Sequence, residues 1–338
     1  MTPPRLFVGG LLLLITIAIV AIGIGSVAIA PGDVLGILTH QLFSGGGDAA
    51  QGAGATSIVM ELRLPRILAA ILVGAALAVA GGAFQSLLRN PLADPYVLGT
   101  SSGAALGAAI AILLPIGGVA WELGGVQLAA FLGALASVGL VWRVAGIGSG
   151  EERIASVLLV GYAVASLLAA ALSLVMLVSG ANLRAIFSFL LGGLDGATWP
   201  RLAAAALPLI AATALLALRG RALAGFLLGD EAAQHLGVDV RRERRIAVAL
   251  ASLATAAAVA LAGLIGFVGL VVPHLARLAV GPDPRVVLPL SAIGGALLLL
   301  IADTVARTIG VPVGVITAII GAPFLLWLLH RARTGYAL

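Results

Sequence analysis

Cysteine is missing from all 338 residues, which excludes disulfides, thiolate metal sites and cysteine nucleophiles. Lysine is missing too, so all 19 basic residues are arginine. That removes the phosphate-gripping lysine of a G-x-x-x-x-G-K-[ST] loop and Schiff-base chemistry. If this protein uses ATP, another chain must bind it. Charge is scarce: 10% of residues are charged and 61% are apolar, where a soluble domain carries roughly 25% charged residues. So few charges cannot cover a globular surface of this size. The chain therefore reads as an all-α polytopic membrane protein, one transmembrane domain over residues 1–338. The net charge of +5 follows from positive-inside bias and does not call for nucleic acid. His40, His235, His274 and His330 show no H-x-x-x-H or H-E-x-x-H spacing. No metal ligand set and no bound cofactor is expected. His274, after Pro273 in an apolar segment, is expected to bond a backbone carbonyl. Neither a nucleophile–base constellation nor a catalytic pair of carboxylates is present, so no catalytic residue is assigned and the chain reads as a non-enzyme.

What is there is a series of long apolar runs. The first follows Arg5 and reaches Ala30. Ala28-Ile29-Ala30 mimics a signal-peptidase site, but a run of about 25 residues exceeds the 7–15 of a signal core, so it reads as a span. Pro31 to Ser57 reads as a glycine-rich loop with one short helix. Further apolar stretches cover 64–88, 99–115, 124–143, 154–178, 200–218, 246–264, 266–281, 286–308 and 312–330. That makes about ten transmembrane helices. The run 246–281 is too long for one span of about 20 residues and suits two, divided near Gly263–Gly266. With both termini cytoplasmic, fourteen arginines lie at cytoplasmic ends and five outside: Arg63, Arg66, Arg184, Arg201 and Arg307. The asymmetry supports that topology.

Several features stand out from this apolar background. Gly99, Gly103 and Gly107 form a small-xxx-small series, suited to packing within the bundle or to a subunit seam. Pro208, Pro273, Pro289 and Pro323 fall in or near spans and imply kinks that neighbours must satisfy. Segment 219–245 carries the densest charge. Within it, Asp230 starts a short helix that Gly237 stops, ahead of the arginines at 241–245. Positive-inside bias explains those arginines. It does not explain a compact acidic-start helix, which could dock a soluble partner. Outer-face Arg63 and Arg66, three apart, would share a helical face. They suit headgroup snorkelling or an acidic partner outside. Asp303 is an intramembrane carboxylate, a functional candidate by default. Arg307 lies four residues on, so an Asp303–Arg307 pair is expected. A proton relay in an ion-coupled secondary transporter is the alternative.

Five blocks in order resemble the FecCD-type permeases, the membrane subunits of ABC importers for iron–siderophores, haem and vitamin B12. They are Leu62-Arg63-Leu64-Pro65-Arg66; Asn90-Pro91-Leu92-Ala93-Asp94-Pro95 with Leu98-Gly99; Gly229-Asp230-Glu231-Ala232-Ala233 with Leu236-Gly237; Gly266-Phe267-Val268-Gly269-Leu270-Val271-Val272-Pro273-His274; and Pro312-Val313-Gly314 to Gly321-Ala322-Pro323. The resemblance covers about 58–330. It implies a type II ABC importer permease fold and a homodimer in the bacterial inner membrane, with the path between the copies. Two ATP-binding cassette subunits, holding ATP and Mg, would sit on the cytoplasmic face, and a periplasmic or lipid-anchored substrate-binding protein outside. Residue by residue, it implies Arg63, Arg66 and Arg307 as docking arginines for that binding protein. It implies Gly229, Asp230, Glu231, Ala232, Ala233, Leu236, Gly237 and Val238 as the ATPase-coupling unit. Asn90 and Leu92, with Ile154 and Ala155, would form the cytoplasmic gate. Ser156, Ala163 and Ser166 would line the translocation path. Ile154 and Ala155 are apolar where vitamin B12 permeases carry small polar residues. An iron chelate, haem or ferric siderophore, is therefore expected as cargo, with cobalamin as the alternative.

Overall fold

The computed structural model describes residues 3–25, 27–43, 53–114, 124–145 and 151–333. The described residues form helices α1 (Pro3–Gly23), α2 (Pro31–Phe43), α3 (Ala53–Ser57), a π-helical segment Ile58–Arg63, α4 (Leu64–Leu87), α5 (Thr100–Leu113), α6 (Gly125–Ala145), α7 (Glu151–Val178), α8 (Leu183–Leu190), α9 (Trp199–Leu218), α10 (Gly220–Leu227), α11 (Asp230–His235), α12 (Val240–Ala262), α13 (Val268–Val280), α14 (Pro284–Ile309) and α15 (Val313–Arg333). Eight helical stretches are long and apolar enough to cross a membrane. Two shorter apolar helices, α5 and α13, occupy the other two predicted spans. The divided run 246–281 resolves as predicted: α12 ends at Ala262 and α13 begins at Val268.

Helix α4 is the hub. It is buried along most of its length, with α14, α12, α13, α9 and α1 packed around it. It extends outward beyond its apolar run through the π-helical turn Ile58–Arg63 and α3. Pro65 has no N–H to offer the carbonyl of Glu61, and the wider turn ahead of it carries the chain past that missing bond. Helices reach α4 closely because glycine meets glycine. A Cβ on Gly81 would collide with the Gly269 backbone of α13, and one on Gly74 with the Gly295 carbonyl of α14. A second group, α5, α6 and α7, joins the hub through α12. Gly103 lies against the Gly133 backbone and Gly107 against Ala129. In this chain those two glycines of the 99/103/107 series serve packing inside the bundle. Pro208, Pro273, Pro289 and Pro323 all lie inside helices, α9, α13, α14 and α15 respectively.

Two stretches of irregular backbone lie within the bundle. The chain from Leu88 to Gly99 runs back among the helices. The Val97 carbonyl meets Gly161 of α7, ten residues into that helix, and the Pro95 ring meets Gly269. Gly263–Phe267 forms the second stretch, with Gly263 and Phe267 both at positive φ. Non-helical backbone at membrane depth is tolerated only where protein covers it and its polar groups are paired. Here Tyr96 joins the two stretches: its hydroxyl donates to the Ile265 carbonyl at 3.0 Å and accepts from the Ile265 N–H at 3.3 Å. Helices α5 and α13 begin where these two stretches end, inside the bundle.

Candidate functional site

The arginines sort by end of the bundle, as a two-sided distribution requires. At one end Arg63, Arg66, Arg201 and Arg307 gather around the last turn of α1, Asp303 and the 191–198 loop. At the other, Arg89 lies beside Gly229, Gly220 packs on Arg285, and Arg219 pairs with Glu243 at 2.6 Å.

The first end is held by internal ionic contacts. Arg63 is 6% exposed. Its Nη1 donates to the Ile22 and Gly23 carbonyls at 2.5 and 3.1 Å and its Nη2 to the Val27 carbonyl. It thereby satisfies carbonyls that the end of α1 leaves without helical partners. Arg66 forks onto Asp303 with Nε and Nη2 at 2.8–3.1 Å, and its Nη1 reaches Asp195 at 2.5 Å. Asp303 is fully buried, whereas the Asp195 side chain is 80% exposed. The expected Asp303–Arg307 pair is corrected: Arg66, from α4, takes Asp303, and Arg307 turns to the Ala21 carbonyl of α1. The buried Nε of Arg307 has no partner among the described residues. Nor do Arg63 and Arg66 share a face. The π-helical turn ends at Arg63, and the side chains diverge toward α1 and α14.

At the opposite end the predicted short helix is present as α11. Gly229 before it and Gly237 after it both adopt positive φ, 101° and 83°, which glycine accepts without a Cβ penalty. Asp230 accepts two bonds from Arg244 Nη2, at 2.7 and 3.0 Å. The Arg244 guanidinium also lies 5.4 Å from the centre of the Phe226 ring, a cation–π contact. Ala233 is buried, and Ala233 and Val238 pack beside Gly225 of α10. Ala232 is half-buried, while Glu231, Gln234, His235, Leu236 and Gly237 are exposed. The unit is a rigid knob, anchored on α10 and α12, with Leu228 and Leu236 each 66% exposed on it. After Gly237 only a turn follows before α12, whose first turn Asp239 caps by accepting the Arg242 N–H at 3.0 Å.

The 88–99 stretch begins beside this knob. Arg89 Nη1 lies 3.7 Å from the place a Cβ on Gly229 would occupy. Asn90 is exposed and its Oδ1 accepts the Leu92 N–H at 2.9 Å, an Asx turn. Gln85 Nε2 donates to the Ala93, Gly269 and Leu270 carbonyls at 3.2–3.3 Å, and Arg277 donates to its Oε1. Asp94 accepts the Tyr96 N–H at 2.8 Å. Neither Gln85 nor Tyr96 stood out in the sequence, because nothing local pairs either with a residue more than 150 positions away. Ile154 and Ala155 fall in the first turns of α7, and their side chains lie outside the described ones. Ser156 is half-buried; Ala163 and Ser166 lie on a largely exposed face with Tyr162 and Leu159.

His274 corrects another expectation. It is 5% exposed and neither ring nitrogen has a hydrogen-bond partner among the described residues. It meets Phe324 of α15 edge to face at 5.9 Å. No group of three or more His, Asp or Glu side chains placed to hold a metal ion occurs among the described residues.

The family model of the FecCD transport family matches residues 12–331. The cobalamin import system permease protein BtuC of Halobacterium salinarum is 48% identical over 275 residues, covering 81% of this chain and 73% of that one. The hemin transport system permease protein HmuU of Yersinia pestis is 39% identical over 282 residues, covering 82% and 84%. The ABC transporter permease protein YvrB of Bacillus subtilis, uncharacterized, is 39% identical and covers 95% of this chain and 92% of its own. Among solved structures, one described as an inward-facing conformation of a metal-chelate type ABC transporter superposes with a TM-score of 0.84 at 28% identity, over 97% of this chain and 99% of that one.

Proposed function

The chain belongs to the FecCD transport family and is a permease of an ABC importer; from that premise we propose that it moves a macrocyclic metal chelate, haem or cobalamin, inward across the cytoplasmic membrane. Relatives named for cobalamin and for hemin both share more than a third of their aligned residues with it. Both cargoes are large, flat and ringed around a metal. The sequence alone favours an iron chelate through apolar Ile154 and Ala155; the 48% identity to a cobalamin-named relative brings cobalamin level with haem. A ferric siderophore is the competing cargo.

The observation that carries the coupling role is the knob at 229–238: a short helix anchored by Asp230–Arg244 and presenting Glu231 and Leu236 to solvent. In this reading two ATP-binding cassette subunits seat on it from the cytoplasm, where both chain termini also lie. They supply the ATP, Mg and hydrolysis. A substrate-binding protein outside delivers the cargo to the end that carries Arg66 and Arg307. Arg63 is buried and engaged with α1, so Arg307 is the better placed of the predicted docking arginines. A second copy of this chain closes the path along Ser156, Ala163 and Ser166. Closure of the ATPase pair moves the knob as a rigid body, and the helices follow. Arg89, beside Gly229, connects the knob to the stretch carrying the gate positions Asn90 and Leu92.

The test is uptake into proteoliposomes holding this chain, its ATPase and its binding protein, offered haem, a ferric siderophore or cobalamin in turn. Uptake of haem or cobalamin that requires both ATP and the binding protein is expected. Siderophore uptake alone would overturn the cargo. Uptake by this chain alone under an ion gradient would overturn the ATP-driven mechanism and return attention to Asp303.

A further inference from the structure

At the end that carries Arg66 and Arg307, two adjoining hollows share Gln127, Arg201, Ala260 and Leu261. One, of about 280 Å³, has the polar side chains Gln127, Ser188, Asp195 and Arg201 in its lining. The other, of about 480 Å³, is an apolar groove between α6, α9 and α12, walled by Leu128, Phe131, Ala204, Pro208 and Leu261. The polar groups around the first hollow are under-used. The buried Arg201 Nε has no partner among the described residues. Arg201 Nη1 donates to the Gly196 carbonyl at 3.1 Å. Gln127 and Ser188 make no side-chain hydrogen bond among the described residues. Asp195 has one oxygen on Arg66 and its side chain is 80% exposed.

We infer that these hollows hold one phospholipid with a zwitterionic phosphoethanolamine headgroup. Its phosphate would lie on Arg201, its ammonium on Asp195, and one acyl chain in the α6–α9–α12 groove. The partition matches the molecule: a cation and an anion both line the smaller hollow, and the hollow adjoining it is apolar. A phosphate supplies acceptors for the guanidinium and for Gln127, and Ser188 can donate to it. The depth also matches. Arg201 lies two residues beyond Trp199, whose indole Nε1 donates to the Met60 carbonyl at 2.8 Å, and tryptophan marks the membrane–water boundary. From Arg201 to Pro208 the groove follows α9 for about 10 Å at 1.5 Å per residue, room for about the first eight carbons of an acyl chain. Leu128, at 59% exposed, and Leu207, at 76%, lie on the outward surfaces of α6 and α9, so the groove opens where lipid would surround the bundle. An arginine outside also runs against positive-inside bias, and a lipid phosphate supplies its reason.

The experiment is native mass spectrometry of the full chain in mild detergent, titrated with phosphatidylethanolamine or with phosphatidylglycerol. One tight phosphatidylethanolamine molecule per chain is expected. Losing a charge-assisted bond costs about tenfold or more in affinity, so Arg201→Gln should weaken both lipids by about that factor. Asp195→Asn should erase the preference for phosphatidylethanolamine and leave phosphatidylglycerol bound. Ala204→Phe, which fills the groove from an exposed position, should weaken both without touching a charge. Arg184→Gln, at another outer arginine, should change neither. Equal retention of the two lipids by the native chain, or undiminished binding by both Arg201→Gln and Ala204→Phe, would overturn the site. Every readout is lipid binding, so the result stands apart from the identity of the transported chelate.

Discussion

Asp303 shows how a single intramembrane charge is made tolerable. It is fully buried and both oxygens lie on the Arg66 fork. Such a pair is weak evidence for stability, yet removing Arg66 leaves Asp303 a buried uncompensated charge. Arg66→Met is therefore expected to destabilise the chain by about 3–5 kcal/mol, read as loss of thermal stability in detergent, and Asp303→Asn, which leaves Arg66 its bond to Asp195, to cost less. The Arg66→Met/Asp303→Leu double variant should cost less than the sum of its two singles. Additive losses would mean that the two charges are uncoupled. That pairing was not legible in the sequence. Arg66 and Asp303 are 237 positions apart, and the only neighbour that helical spacing offered Asp303 was Arg307.

At the scale of helices, hydropathy carried most of the information. Each of the ten apolar stretches corresponds to a helix, because a run of about 20 apolar residues has few ways to satisfy its backbone in lipid. The short helix at Asp230–His235 was legible for another reason: an acidic start and a glycine stop are local signals. The breaks at 88–99 and 263–267 were legible as gaps between apolar stretches, but their pairing through Tyr96 and Gln85 was not, since it is tertiary. Close approach of helices is the element-level term that holds the hub. Gly81→Val, which places a side chain into the Gly269 backbone, should cost about 1–3 kcal/mol or more as overpacking. Gly139→Val on α6, where an added Cβ meets nothing within 4 Å, should be nearly neutral. Parallel unfolding measurements on the two variants check the contrast, and equal losses would mean that the α4–α13 contact is not tight.

For the whole molecule, the two ends divide the work. One is laced by arginine side chains, Arg66 in ion pairs and Arg63 and Arg307 on backbone carbonyls, that tie α1, α4, α14 and the 191–198 loop into a block. The other exposes a compact knob whose anchoring charges, Asp230 and Arg244, face inward while Glu231 faces out. Under the proposed coupling role, reversing the charge at Glu231 disfavours the ATPase partner without disturbing the fold. Glu231→Arg is thus expected to lower ATP-driven uptake about tenfold or more, while the melting temperature of the permease stays within a degree or so of the parent. A matching loss of stability would instead make Glu231 part of the fold.

The meeting of the two coil stretches has an electrical consequence. Thr100 and Val268 begin α5 and α13 from inside the bundle, and both are fully buried. The helix starts are brought together by Pro95 against Gly269 and by Tyr96 on Ile265. Each start carries about half a positive charge from its aligned peptide dipoles. Two such ends buried in one interior raise the potential there, so the peptide dipoles alone set this part of the bundle against an unpaired cation.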